Sequence, residues 1–294
     1  MTAVRPPQTP SPTHDATLRV TPPGHPPVEV VYARRGVRGG EPMLLLHGIG
    51  HHWQAWEPVM TALASRYDVA AIDLPGFGAS DPLPEGVSYG LDGVVPLLAQ
   101  ACAGLGMDRP HVVGNSLSGL LALAMGLHGH ARSVTALAPA GFWNTPERLY
   151  AFAVLRGLRT GARALPAPVA RRLAHSAAGR AVLTSAIYAR PGRRSPDAVL
   201  AETRALAGAA GYAPVLAEGR QPGPLIDQDI PDIPVTIGWG DRDRVLLRHQ
   251  GVRAKRVIPG ARLVRLRGCG HVPMNDDPAG VTRIVLDTAE QARG

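Results

Sequence analysis

The sequence predicts an α/β fold: an eight-stranded, mostly parallel sheet with helices on both faces and a helical segment inserted into it. Three observations carry this expectation. Short apolar runs at residues 43–46, 69–72 and 133–138 alternate with helical stretches, which is how strands covered on both faces read. Residues 111–121, His-Val-Val-Gly-Asn-Ser-Leu-Ser-Gly-Leu-Leu, read as a strand, a sharp turn and a helix around Ser116. Residues 142–220 then hold no strand pattern, only Ala/Leu/Arg-rich stretches interrupted by Pro166, Pro168, Pro191 and Pro214.

In chain order, residues 1–16 are proline-rich and poor in apolar side chains, the composition of a disordered tail. Segments 17–20 and 28–32, joined by Pro-Pro-Gly-His-Pro-Pro, are expected as antiparallel edge strands. A strand at 43–46 ends in His47-Gly48-Ile49-Gly50. A helix at 56–65 leads to a strand at 69–73, which breaks at Leu74-Pro75-Gly76-Phe77-Gly78. A helix is expected at 89–105 despite Pro96, then the approach to Ser116 at 112–113, a helix to about 128 and a strand at 133–138. After the insertion come a strand at 234–239, Gly240-Asp241-Arg242-Asp243, a helix near 246–256, a strand at 262–266, the loop Gly268-Cys269-Gly270-His271 and a closing helix at 278–291. The expected organisation is a tail (1–16), a core in two pieces (17–141 and 221–294) and a helical lid (142–220). In such a fold, functional groups collect at the carboxyl ends of the strands.

With 294 residues, 45% hydrophobic and 18% charged, the chain has the composition of a soluble globular protein with a large core. Nothing at its start resembles a signal peptide and no apolar run approaches the ~18 residues of a membrane span, so the cytoplasm is the expected location. Cys102 and Cys269, the only cysteines, suggest neither a disulfide framework nor a thiolate metal site.

Ser116 carries the chemistry. A serine at a strand-to-helix turn is held in a cramped backbone conformation that aims its hydroxyl out of the sheet edge, and Gly114 and Gly119 supply the room this needs. A serine hydroxyl becomes a nucleophile when a base removes its proton and a carboxylate orients that base. Four stretches now identify the chain, from about residue 17 to its end, as resembling a lidded serine hydrolase of the α/β-hydrolase superfamily. They are His47-Gly48-Ile49-Gly50; Asp73-Leu74-Pro75-Gly76-Phe77-Gly78-Ala79-Ser80; Gly114-Asn115-Ser116-Leu117-Ser118-Gly119; and Trp239-Gly240-Asp241-Arg242-Asp243 paired with Gly268-Cys269-Gly270-His271-Val272-Pro273. One departure stands out: Ser118 occupies the position where Gly-x-Ser-x-Gly has its second glycine.

The resemblance implies a catalytic Ser116, Asp243 and His271, in the Ser, Asp, His order of this fold. Asp241 competes with Asp243 for the acid, but the family's acid precedes a hydrophobic step, here Val245-Leu246, which favours Asp243. It further implies an oxyanion hole made by the backbone N–H groups of Ile49 and Leu117, with His47 bracing the loop, and no metal or organic cofactor. Asp73 and Ser80 belong to a structural turn of the family. His51, Trp143, Tyr150 and Tyr188 are candidate pocket residues.

The expected reaction is hydrolysis of a carboxylic ester, lactone or thioester of a hydrophobic small molecule through an acyl-enzyme. Epoxide hydrolases and haloalkane dehalogenases of the fold use an aspartate where this chain has Ser116, and epoxide hydrolases carry proline where it has Gly50. Carbon–carbon bond hydrolases, an alternative, have tryptophan soon after the histidine, whereas His271 is followed by Val272-Pro273-Met274. Another alternative is a non-hydrolytic binding or biosynthetic protein on the same fold.

Charge adds one inference. Residues 142–220 hold 12 arginines against Glu147, Asp197, Glu202 and Glu218, so the whole formal charge of +8 lies in the insertion. At ~100° per residue, Arg148, Arg156, Arg159 and Arg163 share about 80° of one helical face. A solvated face is one reading; attraction of an anionic substrate or an acidic carrier protein is the other. Nucleic acid is not expected, because no aromatics are interleaved with these arginines.

Overall fold

The computed structural model describes residues 16–220 and 225–293. The expected tail lies outside the described residues except for Ala16, which opens the first strand. Among the described residues eight strands form one sheet: β1 Ala16–Val20, β2 Val28–Arg35, β3 Pro42–Leu46, β4 Asp68–Ile72, β5 His111–Asn115, β6 Ser133–Leu137, β7 Val235–Gly240 and β8 Arg262–Leu266. Their order is β1-β2-β4-β3-β5-β6-β7-β8. β1 and β2 pair antiparallel, β2 joins β4 antiparallel, and every other pairing is parallel.

The helices are α1 Glu57–Ala64, α2 Leu91–Gly104, α3 Leu117–Leu127, α4 Thr145–Ala164, α5 Ala167–Ala174, α6 Ala177–Thr184, α7 Pro196–Gly208, α8 Tyr212–Glu218, α9 Gln250–Val257, α10 Pro273–Asp276 and α11 Pro278–Gln291. Side chains alternate across the pleat, so one strand feeds two cores. Leu44, Leu46, Ala70 and Ile72 pack on the face covered by α2 and α3, while Met43, Leu45, Val69 and Ala71 pack on the face covered by α1 and α11. No helix among the described residues is long and apolar enough to cross a membrane.

Three local differences from expectation have physical causes. A 3-10 turn at Trp53–Trp56 precedes α1, whose Pro58 suits a first helical turn and not a helix interior. α9 begins at Gln250 and not near 246, because the N–H groups of Val245 and Leu246 donate to the Asp243 carboxylate instead of entering a helix. α10, four residues long, is too short to show a periodicity in sequence.

Helices α4 to α8 lie between β6 and β7, and no strand occurs among residues 142–220. α4 opens with a capping box: Glu147 N–H donates to Asn144 Oδ1, and the Glu147 carboxylate accepts from Asn144 N–H, each at 3.0 Å. Glu147 also pairs with Arg253 and His249, tying α4 to α9. Phe152, Val215 and Leu216 join the core on the α2/α3 face.

Four buried histidines, His47, His51, His52 and His111, are held below the ordinary histidine value chiefly by desolvation, His47 down to about 4. In the unfolded chain they take up protons near pH 6.5, and in the folded chain only at lower pH. Their contribution is therefore complete above about 6.5 and is lost as pH falls toward 4, each proton adding up to about 1.4 kcal/mol per pH unit. Thermal melts should show stability falling steeply from pH 6.5 to 4.5, and His47→Gln should flatten that slope. A second expectation concerns glycine. A Cβ on Gly114 would stand 1.8 Å from the Ser118 carbonyl oxygen, whereas one on Gly157, inside α4, meets nothing within 4 Å. Gly114→Ala should cost at least about 3 kcal/mol; Gly157→Ala should add about 0.5–1 kcal/mol. Denaturant titration of both variants checks this.

Candidate active site

Ser116 follows β5 with φ 59° and ψ −116°, a backbone conformation that costs a non-glycine residue about 1–3 kcal/mol. Main-chain bonds hold it there: Ser116 N–H donates to Leu137 O at 2.9 Å, and Ser116 O accepts from Leu120 N–H at 3.2 Å and Ala140 N–H at 3.0 Å. The missing side chains of Gly114 and Gly119 let strand, turn and helix close up, since a Cβ on Gly119 would stand 2.9 Å from Pro139 Cα. The departure at Ser118 has its own bond. Its buried hydroxyl donates to the His47 carbonyl, joining α3 to the loop after β3.

His271 and Asp243 arrive from the ends of β8 and β7. The Ser116 hydroxyl and His271 Nε2 are 2.8 Å apart, and His271 Nδ1 and Asp243 Oδ2 are 2.8 Å apart. The other oxygen of Asp243 accepts from Val245 N–H at 2.8 Å and Leu246 N–H at 2.9 Å, so the carboxylate cannot swing away. Ser116, His271 and Asp243 are all buried. Asp241 faces elsewhere and accepts from Gly268 N–H at 2.7 Å and Arg265 at 3.0 Å.

The loop 47–50 runs against Ser116: a Cβ on Gly48 would be 3.3 Å from Ser116 Cβ. His47 braces it, with Nδ1 donating to Gly48 O at 2.8 Å and Nε2 accepting from Leu74 N–H at 3.0 Å, which is the neutral imidazole that burial enforces. Gly50 has φ +75°, a left-handed conformation that favours glycine, and a Cβ there would press on Leu206 Cδ1 at 2.6 Å and Tyr212 Cε2 at 2.9 Å. Asp73 accepts from Trp53 N–H at 2.6 Å and Ala79 N–H at 2.8 Å, and Ser80 Oγ donates to Asp73 O at 2.8 Å, a structural turn.

A cavity of about 280 Å³ opens on Ser116, Ile49 and Leu117 and is walled mainly by apolar side chains, including Leu120, Trp143, Phe152, Leu155, Val215 and Leu246. Of the four expected pocket residues, Trp143 lines it and the other three do not. Tyr150 is 44% exposed and its hydroxyl donates to Arg244 O at 2.7 Å, because its helical position turns it away from the core. Tyr188 is buried, and its hydroxyl lies 3.0 Å from His51 Nε2. Ser88, Asp92 and Glu218 supply the polar part of the lining, and Ser88 Oγ donates to Glu218 at 2.8 Å.

Arg156, Arg159 and Arg163 line a separate surface depression of about 260 Å³ together with Arg220. Arg148 instead donates to Arg220 O, and Arg159 stacks 4.9 Å over the Tyr212 ring. Leu216 borders both the depression and the cavity. Among the described residues no group of three or more His, Cys, Asp or Glu could hold a metal ion. Cys102 and Cys269 are buried thiols, both pushed up to about 12 by desolvation.

Two polar residues of the site were assigned no role from sequence. Asn115 Nδ2 donates to Leu137 O at 3.1 Å and to His271 O at 2.9 Å, tying the end of β5 to the His271 loop. Asp276, fully buried, accepts from Gly270 N–H at 2.8 Å. Only Asn115's place beside Ser116 could have drawn attention to it.

An uncharacterized Mycobacterium tuberculosis protein is 29% identical over 270 residues, 86% of this chain and 77% of that one. A pimeloyl-[acyl-carrier protein] methyl ester esterase of Aeromonas hydrophila is 43% identical over 88 residues, 30% of this chain and 33% of the esterase. The crystal structure of a bacterial membrane phospholipase A superposes with a TM-score of 0.75 at 25% identity, covering 96% of this chain and 87% of that one. The family model for the alpha/beta hydrolase fold matches residues 41–278, and with the sheet order and the parallel strand ends described above, this chain belongs to the α/β-hydrolase family.

Proposed function

We propose that this protein is a serine hydrolase that cleaves a small-molecule carboxylic ester, lactone or thioester through an acyl-enzyme. The observation that carries the reading is the unbroken hydrogen-bonded run from Ser116 Oγ through His271 to Asp243 at the floor of an apolar cavity. Helices α4 to α8 serve as its lid, contributing Trp143's neighbour Phe152, Leu155, Val215 and Leu216 to the cavity wall.

In the cycle, Ser116 Oγ attacks the acyl carbon as its proton passes to His271 Nε2. Asp243, already bonded to Nδ1, orients the ring and stabilises the imidazolium. The alkoxide that develops is met by the N–H groups of Leu117, at the first turn of α3 where no intrahelical acceptor exists, and of Ile49. Collapse expels the alcohol or thiol, which takes the proton from His271. Water then attacks the acyl group, gives its proton to His271, and the acid leaves as Ser116 recovers its hydrogen.

The arginine depression supports a second statement, that an anionic substrate or an acidic carrier protein is drawn to the insert. Its position supports this, because Leu216 lines both the depression and the cavity.

Intact-mass analysis after fluorophosphonate treatment should show one adduct on Ser116 in the parent and none in Ser116→Ala. His271→Ala should lower kcat by roughly 1,000-fold or more. A folded parent that takes no label would sink the hydrolase reading. Because each buried CH₂ contributes about 0.8 kcal/mol, p-nitrophenyl butyrate should exceed the acetate by roughly tenfold in kcat/KM; equal values would mean that the cavity does not hold the acyl chain. For an anionic ester, KM should rise steeply between low and moderate salt, and Arg156→Glu with Arg163→Glu should abolish that dependence. Indifference to salt would remove the anionic reading and leave the triad untouched.

A further inference from the structure

Residues 187–190, between α6 and α7, touch both catalytic loops. The Ile187 carbonyl accepts from His271 N–H at 2.7 Å and Val272 N–H at 3.4 Å. The N–H groups of Ala189 and Arg190 donate to the Asp276 carboxylate at 2.9 and 2.7 Å, and the same carboxylate takes Gly270 N–H at 2.8 Å. The approach is so close that a Cβ on Gly270 would stand 2.5 Å from Ile187 O. Between these anchors Tyr188, 2% exposed, reaches the other loop: its hydroxyl lies 3.0 Å from His51 Nε2. His51 is two residues beyond Ile49, and its own N–H donates to Gly48 O at 3.2 Å.

The proton positions follow from the partners. His51 Nδ1 has no hydrogen-bond partner, so the ring proton belongs on Nε2, where it is donated to Tyr188 Oη. Burial and the nearby Glu202 carboxylate keep the Tyr188 hydroxyl protonated, and Glu202, itself buried, pairs with Arg194. Arg194 also stacks 5.9 Å from the Tyr188 ring centroid. Tyr188 thus has the buried Arg194–Glu202 ion pair beside its ring on the insert side and one bond to the loop after β3 on the core side.

We propose that Tyr188 is a positioning residue for the oxyanion loop: through His51 it holds the Ile49 amide against Ser116, so the insert sets the geometry of the hole as well as covering the cavity. This rests on the hydrolase reading above. The physical reason is that a loop lacking this bond leaves a buried N–H unpaired and relaxes to find another partner, and a displacement of 1 Å at a reacting centre can cost up to ~100-fold in rate.

The test is a kcat and KM comparison on p-nitrophenyl butyrate, with the inhibition constant of butylboronic acid, whose tetrahedral serine adduct places an oxygen in the hole. Tyr188→Phe removes one hydroxyl and keeps the ring. Its kcat should fall ~10-fold or more with KM within ~2-fold, and boronate affinity should weaken by the same factor as kcat/KM. His51→Leu should match Tyr188→Phe, the double variant should be no worse than either single one, and His51→Gln, which can return an N–H to the Nε2 position, should keep at least half of the parent's kcat. Should Tyr188→Phe fold poorly, the His51→Gln and His51→Leu pair decides alone. A Tyr188→Phe enzyme with parental kcat and boronate affinity, or His51→Gln as impaired as His51→Leu, overturns the positioning role while the active parent keeps the hydrolase reading. A folded parent inert to fluorophosphonate and to the ester overturns both.

Discussion

The backbone of Ser116 is the constraint on which the rest of the site depends. A residue with a side chain is held at φ 59° and ψ −116° only because strand, turn and helix leave it no alternative. β5 delivers the chain into the turn from the middle of a parallel sheet. α3 starts one residue later, and Leu120 and Ala140 both donate to the Ser116 carbonyl. The glycines are consequences of this. Gly114 admits the Ser118 carbonyl, and Gly119 admits Pro139. With the hydroxyl raised above the strand ends, the other groups need only come from neighbouring strands, and β7 and β8 place Asp243 and His271 there.

The polar groups around Ser116 form a frame of buried bonds with few loose ends. Ser118 grips the His47 carbonyl, His47 grips Leu74, Asn115 grips the His271 carbonyl, and Asp276 joins Gly270 to Ala189 and Arg190. Each such group would be costly to bury without its partner, so the frame resists partial rearrangement. The inserted helices are part of this frame, since residues 187–190 bond to the loops on both sides of Ser116.

Charge is distributed unevenly on that insert. Arg156, Arg159, Arg163 and Arg220 gather in a depression on its surface, while Asp92 and Glu218 border the cavity. Leu216 is the lining residue common to both. The arginine depression and the mainly apolar cavity are therefore separate features, and a helix-face count of arginines alone could not divide them.

The sequence by itself determined the fold class, the succession of strands along the chain and the turn at Ser116, because these depend on short-range patterns: apolar runs, prolines, and glycines flanking one serine; the other stretches that meet at the site were readable through family resemblance. The choice of Asp243 over Asp241 was readable only through family resemblance, and the structure supplies its geometric reason, the Val245 and Leu246 amides that turn the carboxylate toward His271. The tertiary structure alone decided which aromatics reach the cavity. Trp143 does, Tyr150 points to Arg244 and Tyr188 to His51, and nothing in their local sequence separates the three. It alone also revealed the function of Ser118, Asn115 and Asp276, whose partners lie 71, 156 and 87 residues away along the chain. Side-chain hydrogen bonds over such separations leave no periodicity to read; they exist only once the sheet has brought the strand ends together.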